Sequence, residues 1–181
     1  AASDVYKRQD LSLHANDYRA GERTFQLLTQ AAGRAGRGDK PGEVVIQTYS
    51  PEHYSIQTAA RQDYESFYEE EMNYRMLMGY PPAEDLLAIW MTGEEEEHLK
   101  VAAGYLKEFT ERINREGKLT VIGPAAPYVS KINDQYRQII YVKSEDYECL
   151  VRAKDLLEQY IDMNRGFDHL RIQFDFNPLN I

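Results

Sequence analysis

The segment at residues 30–38, QAAGRAGRG, combines the residue types best suited to phosphate chemistry. Four of its residues stand about one turn apart on one helical face: Gln30, Gly33, Arg34 and Arg37. Two guanidiniums there offer planar, permanently charged donors that match phosphate oxygens. An arginine held against a transferring γ-phosphate stabilises the charge that develops in the transition state. Gly33 and Gly36 each cost a helix about 1 kcal/mol relative to alanine, which favours a close approach to the backbone there.

The alternative interpretation of this segment is a solvated basic helix face with incidental glycines. A basic face alone would favour that alternative. Two glycines and two arginines in this register favour a phosphate-contacting helix instead.

A second candidate site lies at Lys131, Tyr136 and Arg137. Cations interleaved with an aromatic ring suit a contact that follows the backbone of single-stranded DNA and stacks on its bases. A solvated hairpin would have the same residues, and sequence alone does not separate these two interpretations.

Composition limits the classes of function. The net charge of −9 over 181 residues argues against the whole chain being a polyanion binder. Two stretches are locally basic: residues 1–42 have seven basic and five acidic side chains, and residues 118–143 have four basic and one acidic. One cysteine, Cys149, excludes an internal disulfide framework, and the four histidines fit no zinc-ligand spacing. We therefore predict no metal site, no membrane helix and a reducing cytoplasmic compartment.

The elements before residue 83 must position the first candidate site. Residues 1–9 show no periodicity and are expected to be a non-native leader. Helical periodicity predicts a helix over 21–37, and the β-branched run EVVIQTY predicts a strand over 43–49. A longer helical pattern runs over 52–78 and ends at Gly79-Tyr80-Pro81-Pro82, because consecutive prolines exclude helix continuation. That tetrapeptide is the predicted domain boundary.

The elements after the boundary follow the order β-α-β-β-α-β. The predicted ranges are 86–91, 94–115, 119–122, 138–142, 147–160 and 170–176. This order is that of a ferredoxin-like split βαβ sheet. The sequence thus predicts two parts, an α/β piece followed by an α+β domain, and the fold alone specifies no function.

The segment QAAGRAGRG resembles motif VI of superfamily 2 helicases, whose pattern is Q-x-x-G-R-x-G-R. In that family the motif faces ATP bound between two RecA-like lobes. The resemblance implies that Arg37 is the arginine finger, that Arg34 is a second contact to the γ-phosphate or between the lobes, and that Gln30 is a coupling residue. Gly33 and Gly36 would permit the close packing of this nucleotide-binding motif.

The surroundings resemble the primosomal protein N′ (PriA) family of replication-restart helicases. The run from Tyr18 to Gln30 is similar to that family's D-[FY]-R-x-x-E-R-[TA]-F-Q-L-L-x-Q pattern, and PGEVVIQTY at 41–49 follows it. Glu71, Arg75 and the YPP at 80–82 resemble the start of its C-terminal domain. The closing positions match as well: Gly123-Pro124, Lys131-Ile132, Tyr136-Arg137 and Asp175-Phe176-Asn177-Pro178. Ala83 departs from the pattern where an aromatic often follows YPP, and Asn177 stands where an aspartate is usual.

This resemblance implies a division of the chain and a set of ligands. Residues 10–51 would be the end of the second RecA-like helicase lobe, 52–82 a connecting helix and boundary, and 83–181 a C-terminal DNA- and partner-binding domain. The cofactors would be ATP and Mg²⁺, held mainly by a preceding lobe, since no G-x-x-x-x-G-K-[ST] or DExH motif occurs here. The family's zinc module is not in this chain either. We therefore expect a C-terminal fragment that is inactive by itself.

The implied activity is 3′→5′ DNA unwinding in replication restart and primosome assembly at stalled forks. The implied partners are DNA forks, single-stranded DNA, single-stranded DNA-binding protein and other primosome proteins, in the bacterial cytoplasm at the nucleoid. Two alternatives stay open: another superfamily 2 translocase of RecG type, and a non-catalytic DNA- or protein-binding module in which motif VI is a relic.

Overall fold

The computed structural model of this chain describes residues 7–8, 17–35 and 44–179. The chain divides into two compact units, Ala1–Met78 with Leu179–Ile181, and Gly79–Pro178. The division between Met78 and Gly79 falls inside the segment 52–82 that the sequence marks as connecting. The roles assigned to the four predicted segments stay predictions.

The second unit is an antiparallel sheet with two helices. Its elements are β3 (Asp85–Gly93), α4 (Glu96–Ile113), β4 (Thr120–Ala125), β5 (Lys131–Ile132), β6 (Gln135–Ser144), α5 (Tyr147–Met163), a 3₁₀ turn (Arg165–Phe167) and β7 (Arg171–Phe176). The strands lie in the order β4-β6-β3-β7, and the short β5 pairs with β6. The observed sequence of strands and helices agrees with the predicted β-α-β-β-α-β order, with β5 as an addition.

One face of this sheet packs against both helices. On β3, Leu87, Ile89 and Met91 lie on this face and are fully buried, because alternate side chains of a strand point to the same face. Leu99 and Leu106 from α4, together with Leu150 and Leu157 from α5, complete the centre of the core; all four have no exposed side-chain surface. Each pair is seven residues apart, so two turns of each helix bring its members to the same side.

A tight turn joins β5 to β6. Asn133 and Asp134 have φ values of 49° and 60°. A two-residue hairpin turn of type I′ requires positive φ at both central positions, and asparagine and aspartate adopt it more readily than most residues. The turn therefore sets the register in which Lys131 lies opposite Tyr136.

The first unit is mainly helical. Its helices are α1 (Ala20–Ala35), α2 (Tyr54–Arg61) and α3 (Tyr64–Met78), and a parallel pair joins β1 (Lys7–Arg8) to β2 (Ile46–Gln47). Phe25 of α1 and Phe67 of α3 stack at the centre of a small core, with ring centroids 4.1 Å apart. Leu28 and Ile56 are buried beside them.

The predicted single helix over 52–78 is wrong, because the chain forms two helices there. Gln62 lies in the left-handed region, with φ of 54°, and its N–H donates to the Ala59 carbonyl. The Asp63 N–H donates to the Thr58 carbonyl at 2.9 Å, which completes a Schellman-type C-cap. The Asp63 carboxylate then accepts from the Ser66 N–H and hydroxyl, at 3.1 and 2.7 Å, and so starts α3.

Strand β2 of the first unit is shorter than predicted. Helix α1 is described up to Ala35, and residues 36–37 of the predicted helix lie outside the described residues. Strand β2 covers two residues of the predicted strand over 43–49. Helix α3 ends at Met78 as predicted, and Gly79 follows with φ of 59°, a conformation that favours glycine at a helix end.

Candidate functional site

Helix α1 presents the first half of the predicted phosphate-contacting motif on its exposed side. Gln30, Gly33 and Arg34 are all exposed. A Cβ added at Gly33 would meet no described atom within 4 Å. Any close approach that Gly33 permits must therefore come from atoms outside the described ranges. Gly36 and Arg37 of the motif also lie outside the described residues.

A buried ionic cluster, which we define as Glu22, Tyr54, Glu71 and Arg75, holds α1 near its N-terminal end. The Arg75 guanidinium donates from Nε to Glu71 Oε1 at 2.8 Å and from Nη2 to Glu22 Oε2 at 2.8 Å. The Tyr54 hydroxyl donates to the other oxygen of Glu71 at 2.6 Å. The cluster thus joins one side chain of α1, one of α2 and two of α3.

Two further contacts complete the surroundings of this ionic cluster. The ring of Tyr18 lies below the Arg75 guanidinium, with 5.5 Å from Cζ to the ring centroid. Arg19 Nε donates to Glu22 Oε2 at 3.2 Å. The absence of a side chain at Gly21 makes room for the cluster, because a Cβ at this position would lie 2.6 Å from Tyr54 Oη and 2.8 Å from Glu71 Oε2.

The contacts of the cluster shift the acidity of its members. Burial raises the pKa of Tyr54, and the hydrogen bond to Glu71 raises it further, so this hydroxyl stays protonated and donating. For Glu22 burial acts to raise the pKa, but hydrogen bonds from Arg75 and Arg19 outweigh it and lower the pKa overall. Glu22 is therefore a carboxylate near neutral pH and accepts from both arginines.

In the second unit, the structure brings Lys131 and Tyr136 together. The Lys131 ammonium lies 4.8 Å from the centroid of the Tyr136 ring, a cation–π contact. It also pairs with the exposed Asp134 carboxylate at 3.1 Å. The Tyr136 ring packs against the core below the helices and is half-buried. Tyr136 is thus partly occupied by contacts within the chain.

Arg137 lies on the opposite face of the sheet from Tyr136. It pairs with Thr92 of β3, and its guanidinium lies 4.9 Å from the centroid of the Trp90 ring on that face. Its Nη1 donates to the Val129 carbonyl at 3.2 Å, and its backbone N–H donates to the Ser130 carbonyl at 2.9 Å. The three predicted residues therefore form two separate contacts, Lys131 with Tyr136 on one face of the sheet and Arg137 with Trp90 on the other. The DNA-binding role of all three stays a prediction.

Two aromatic residues near Arg137 were absent from the predicted site. Trp90, half-buried, forms the ring on which Arg137 rests. Tyr128 lies in the loop between β4 and β5 and is 95% exposed, the largest exposed fraction of any large hydrophobic side chain in the described ranges. The neighbouring Pro127, which breaks both helix and strand patterns, is the sequence signal that could have marked Tyr128 as a loop residue.

Metal ligands and membrane helices were also sought among the described residues. No three histidine, cysteine, aspartate or glutamate side chains of these ranges converge as a metal site. None of the described helices is long and apolar enough to cross a bilayer.

Comparison with known proteins identifies the second unit and the chain. A family model described as the primosomal protein N C-terminal domain matches residues 76–179. The chain is 40% identical over 172 residues to the replication restart protein PriA of Bacillus subtilis, an alignment that covers 93% of this chain and 21% of that relative. Identity to the PriA of Synechocystis is 31%, covering 95% of this chain and 20% of the relative.

A third relative extends the range of organisms. The PriA of Thermotoga maritima is 41% identical over 132 residues, covering 73% of this chain and 17% of the relative. The chain thus spans about a fifth of the length of these curated relatives. With the match to the family model extending over more than half of its residues, the chain belongs to the PriA family and includes that family's C-terminal domain.

Proposed function

We propose that this chain is the C-terminal part of an ATP-dependent 3′→5′ DNA helicase that acts in replication restart and primosome assembly at stalled forks. The observation that carries the proposal is helix α1, which exposes Gln30, Gly33 and Arg34. In a chain whose relatives are replication restart proteins, a glutamine and guanidinium on one exposed helix face suit contact with a nucleotide phosphate.

In this proposal, helix α1 is the end of the second RecA-like lobe. Arg37 stabilises the charge that develops on the γ-phosphate, Arg34 makes a second contact to the phosphate or to the opposite lobe, and Gln30 is a coupling residue. ATP and Mg²⁺ are held mainly by a preceding lobe. The zinc of the family belongs to a module outside these 181 residues.

The second unit is proposed to be a ferredoxin-like domain for DNA and partner binding. Its strand order β4-β6-β3-β7 and its two helices on one face support that assignment. Its proposed partners are forks, single-stranded DNA, single-stranded DNA-binding protein and other primosome proteins. The proposed location is the bacterial cytoplasm, at the nucleoid.

The proposal that a preceding lobe holds ATP can be tested directly. The isolated 181-residue chain should show no ATP turnover with or without single-stranded DNA, because the groups expected to hold ATP are elsewhere. A longer protein that contains the chain should show DNA-stimulated turnover and should displace a strand from a 3′-tailed duplex. Phosphate release and strand displacement measure the two activities. Turnover by the isolated chain that Arg37→Ala abolishes would contradict the proposed division.

The geometry also suggests which aromatic residue meets DNA. The Tyr136 ring is half-buried and lies below Lys131, whereas the Tyr128 ring is almost fully exposed. Arg137 holds the loop that presents Tyr128 through its bonds to the Val129 and Ser130 carbonyls. We therefore propose that Tyr128 stacks on a base while Lys131 and Arg137 contact phosphates.

Tyr128→Ala should weaken binding of single-stranded DNA by about 1–3 kcal/mol, the usual contribution of one stacked base. Two phosphate contacts predict a shallow salt dependence, with a slope of about −1.4 in log affinity against log salt concentration. Fluorescence anisotropy of a labelled oligonucleotide, titrated with the 181-residue chain over a salt series, measures both quantities.

The matched control is Tyr105→Ala, because Tyr105 is 54% exposed on helix α4, outside the hairpin, and its loss should not affect binding. A triple variant, with alanine at Lys131, Tyr136 and Arg137, tests the residues first indicated by the sequence. If wild type and both the single and triple variants bind equally, the hairpin is solvated surface or contacts a protein partner instead.

A further inference from the structure

Arg75 lies between two carboxylates from different helices, and little solvent reaches it. Its side chain is 9% exposed, that of Glu71 is 6% exposed and that of Glu22 is 24% exposed. Both Glu71 oxygens accept a hydrogen bond, one from Arg75 and the other from Tyr54. Replacing one member of a charge cluster at this depth should destabilise the fold, because it leaves another charge buried without compensation.

Such a cluster fixes the orientation of the helices it joins more than it raises the free energy of unfolding. The desolvation of buried ions offsets most of their attraction, so the ion pairs of the cluster add little net stability. A guanidinium, however, donates its hydrogen bonds from a rigid planar group, so its partners must lie in a few fixed directions. Each residue of an α-helix advances about 100° around the axis, so a slip of α1 by one residue would take Glu22 away from Arg75.

The cluster therefore fixes the rotation of the helix that carries the phosphate-contacting motif. Gly33 follows Glu22 by eleven residues, which is about three turns, or roughly 16 Å along the axis at nearly the same angular position. Fixing the helix at Glu22 thereby fixes the direction in which Gln30, Gly33 and Arg34 point. Gly21 is part of the same arrangement, since any side chain there would meet Tyr54 and Glu71.

We propose that Arg75 is a positioning residue for ATP hydrolysis, acting through Glu22 on the orientation of helix α1. The inference rests on the proposed function, since it assigns helix α1 to nucleotide contact. Arg75 itself does not touch the nucleotide. It holds the helix that carries Arg34, and a displacement of about 1 Å in a phosphate-contacting group is enough to slow a reaction on the order of 100-fold.

The test uses the longer protein that contains this chain, with Arg75→Gln, Arg75→Lys and the control Arg61→Gln. Arg61 is an exposed arginine at the end of α2. Its replacement removes one positive charge, as Arg75→Gln does, but leaves the ionic cluster intact. Turnover is measured per folded molecule, at a temperature below the melting transition of every variant. We expect Arg75→Gln to lower kcat by about 10- to 100-fold with the KM for ATP within about twofold.

The conservative variant separates charge from geometry. Arg75→Lys keeps the positive charge but loses the planar group, so its kcat should lie between those of wild type and Arg75→Gln. Arg61→Gln should match wild type. A purely structural role predicts lower melting temperatures with unchanged kcat per folded molecule, and that result would overturn the proposal.

A milder variant keeps the test decisive if Arg75→Gln fails to fold. Tyr54→Phe removes one hydrogen bond to Glu71 and no charge, and it should lower kcat by a smaller factor in the same direction. An unchanged kcat in a folded Tyr54→Phe protein would then overturn the proposal. Failure of the proposed function is distinguishable, because in that case Arg37→Ala would also leave ATP turnover at the wild-type level.

Discussion

Replacing Leu106 with alanine should lower the free energy of unfolding of the second unit by about 2–5 kcal/mol, the usual range for a buried leucine. Leu106 has no exposed surface and lies in the middle of α4, within the core between that helix and the sheet. The substitution removes apolar contacts and leaves a cavity that the surrounding side chains fill only in part.

Urea unfolding followed by tryptophan fluorescence measures this change. Trp90 is the chain's one tryptophan and belongs to β3, so its signal reports on the second unit. Its ring lies on the sheet face opposite the helices, away from the new cavity. The control is Leu156→Ala on α5, which is 42% exposed and should change the free energy by no more than about 0.5 kcal/mol. Equal losses in the two variants would mean that Leu106 is not part of a packed core.

The second unit could be predicted closely because its periodicities are strong. The apolar run at residues 86–91 predicts a strand, and the structure forms strand β3 over Asp85–Gly93. Spacing along the next segment predicts a helix with Leu99 and Leu106 on one stripe, and both are buried. Such patterns depend on local geometry, which neighbouring residues determine.

The break at Gln62 could not be predicted from the usual signals. Glycine or asparagine commonly takes the left-handed position at a helix end, and here a glutamine does so. The helical pattern of apolar residues continues across residues 62–63, which made one helix the simpler prediction. Asp63 and Ser66 were the available signal, since aspartate is a favoured N-cap.

The candidate sites show the same limit. The motif at 30–38 is local, so its residues could be named from spacing and resemblance. The contact between Glu22 and Arg75 joins positions 53 residues apart, and no local pattern predicts it. In the hairpin, alternation alone could have separated Tyr136 from Arg137, because adjacent strand residues face opposite sides. That Arg137 lies over Trp90 depends on the register of β3 with β6.

Replacing Arg37 with alanine in the longer protein should lower kcat for ATP hydrolysis by about 10³-fold or more, the usual scale for an arginine finger. The guanidinium stabilises charge that appears only in the transition state, so its loss should affect kcat far more than ATP binding. Affinity for DNA without nucleotide should stay near that of wild type. Arg61→Ala removes an exposed arginine outside the motif and should have no effect on either quantity.

The central claim is that helix α1 and the residues that follow it complete an ATP-hydrolysing site rather than a DNA-binding surface. The most direct measurement is steady-state ATP turnover of wild type and Arg37→Ala at saturating single-stranded DNA, paired with anisotropy titrations of DNA without nucleotide. The predicted result is a loss of about 10³-fold in kcat with unchanged DNA affinity. Turnover that survives while DNA affinity collapses would place Arg37 on DNA and contradict the claim.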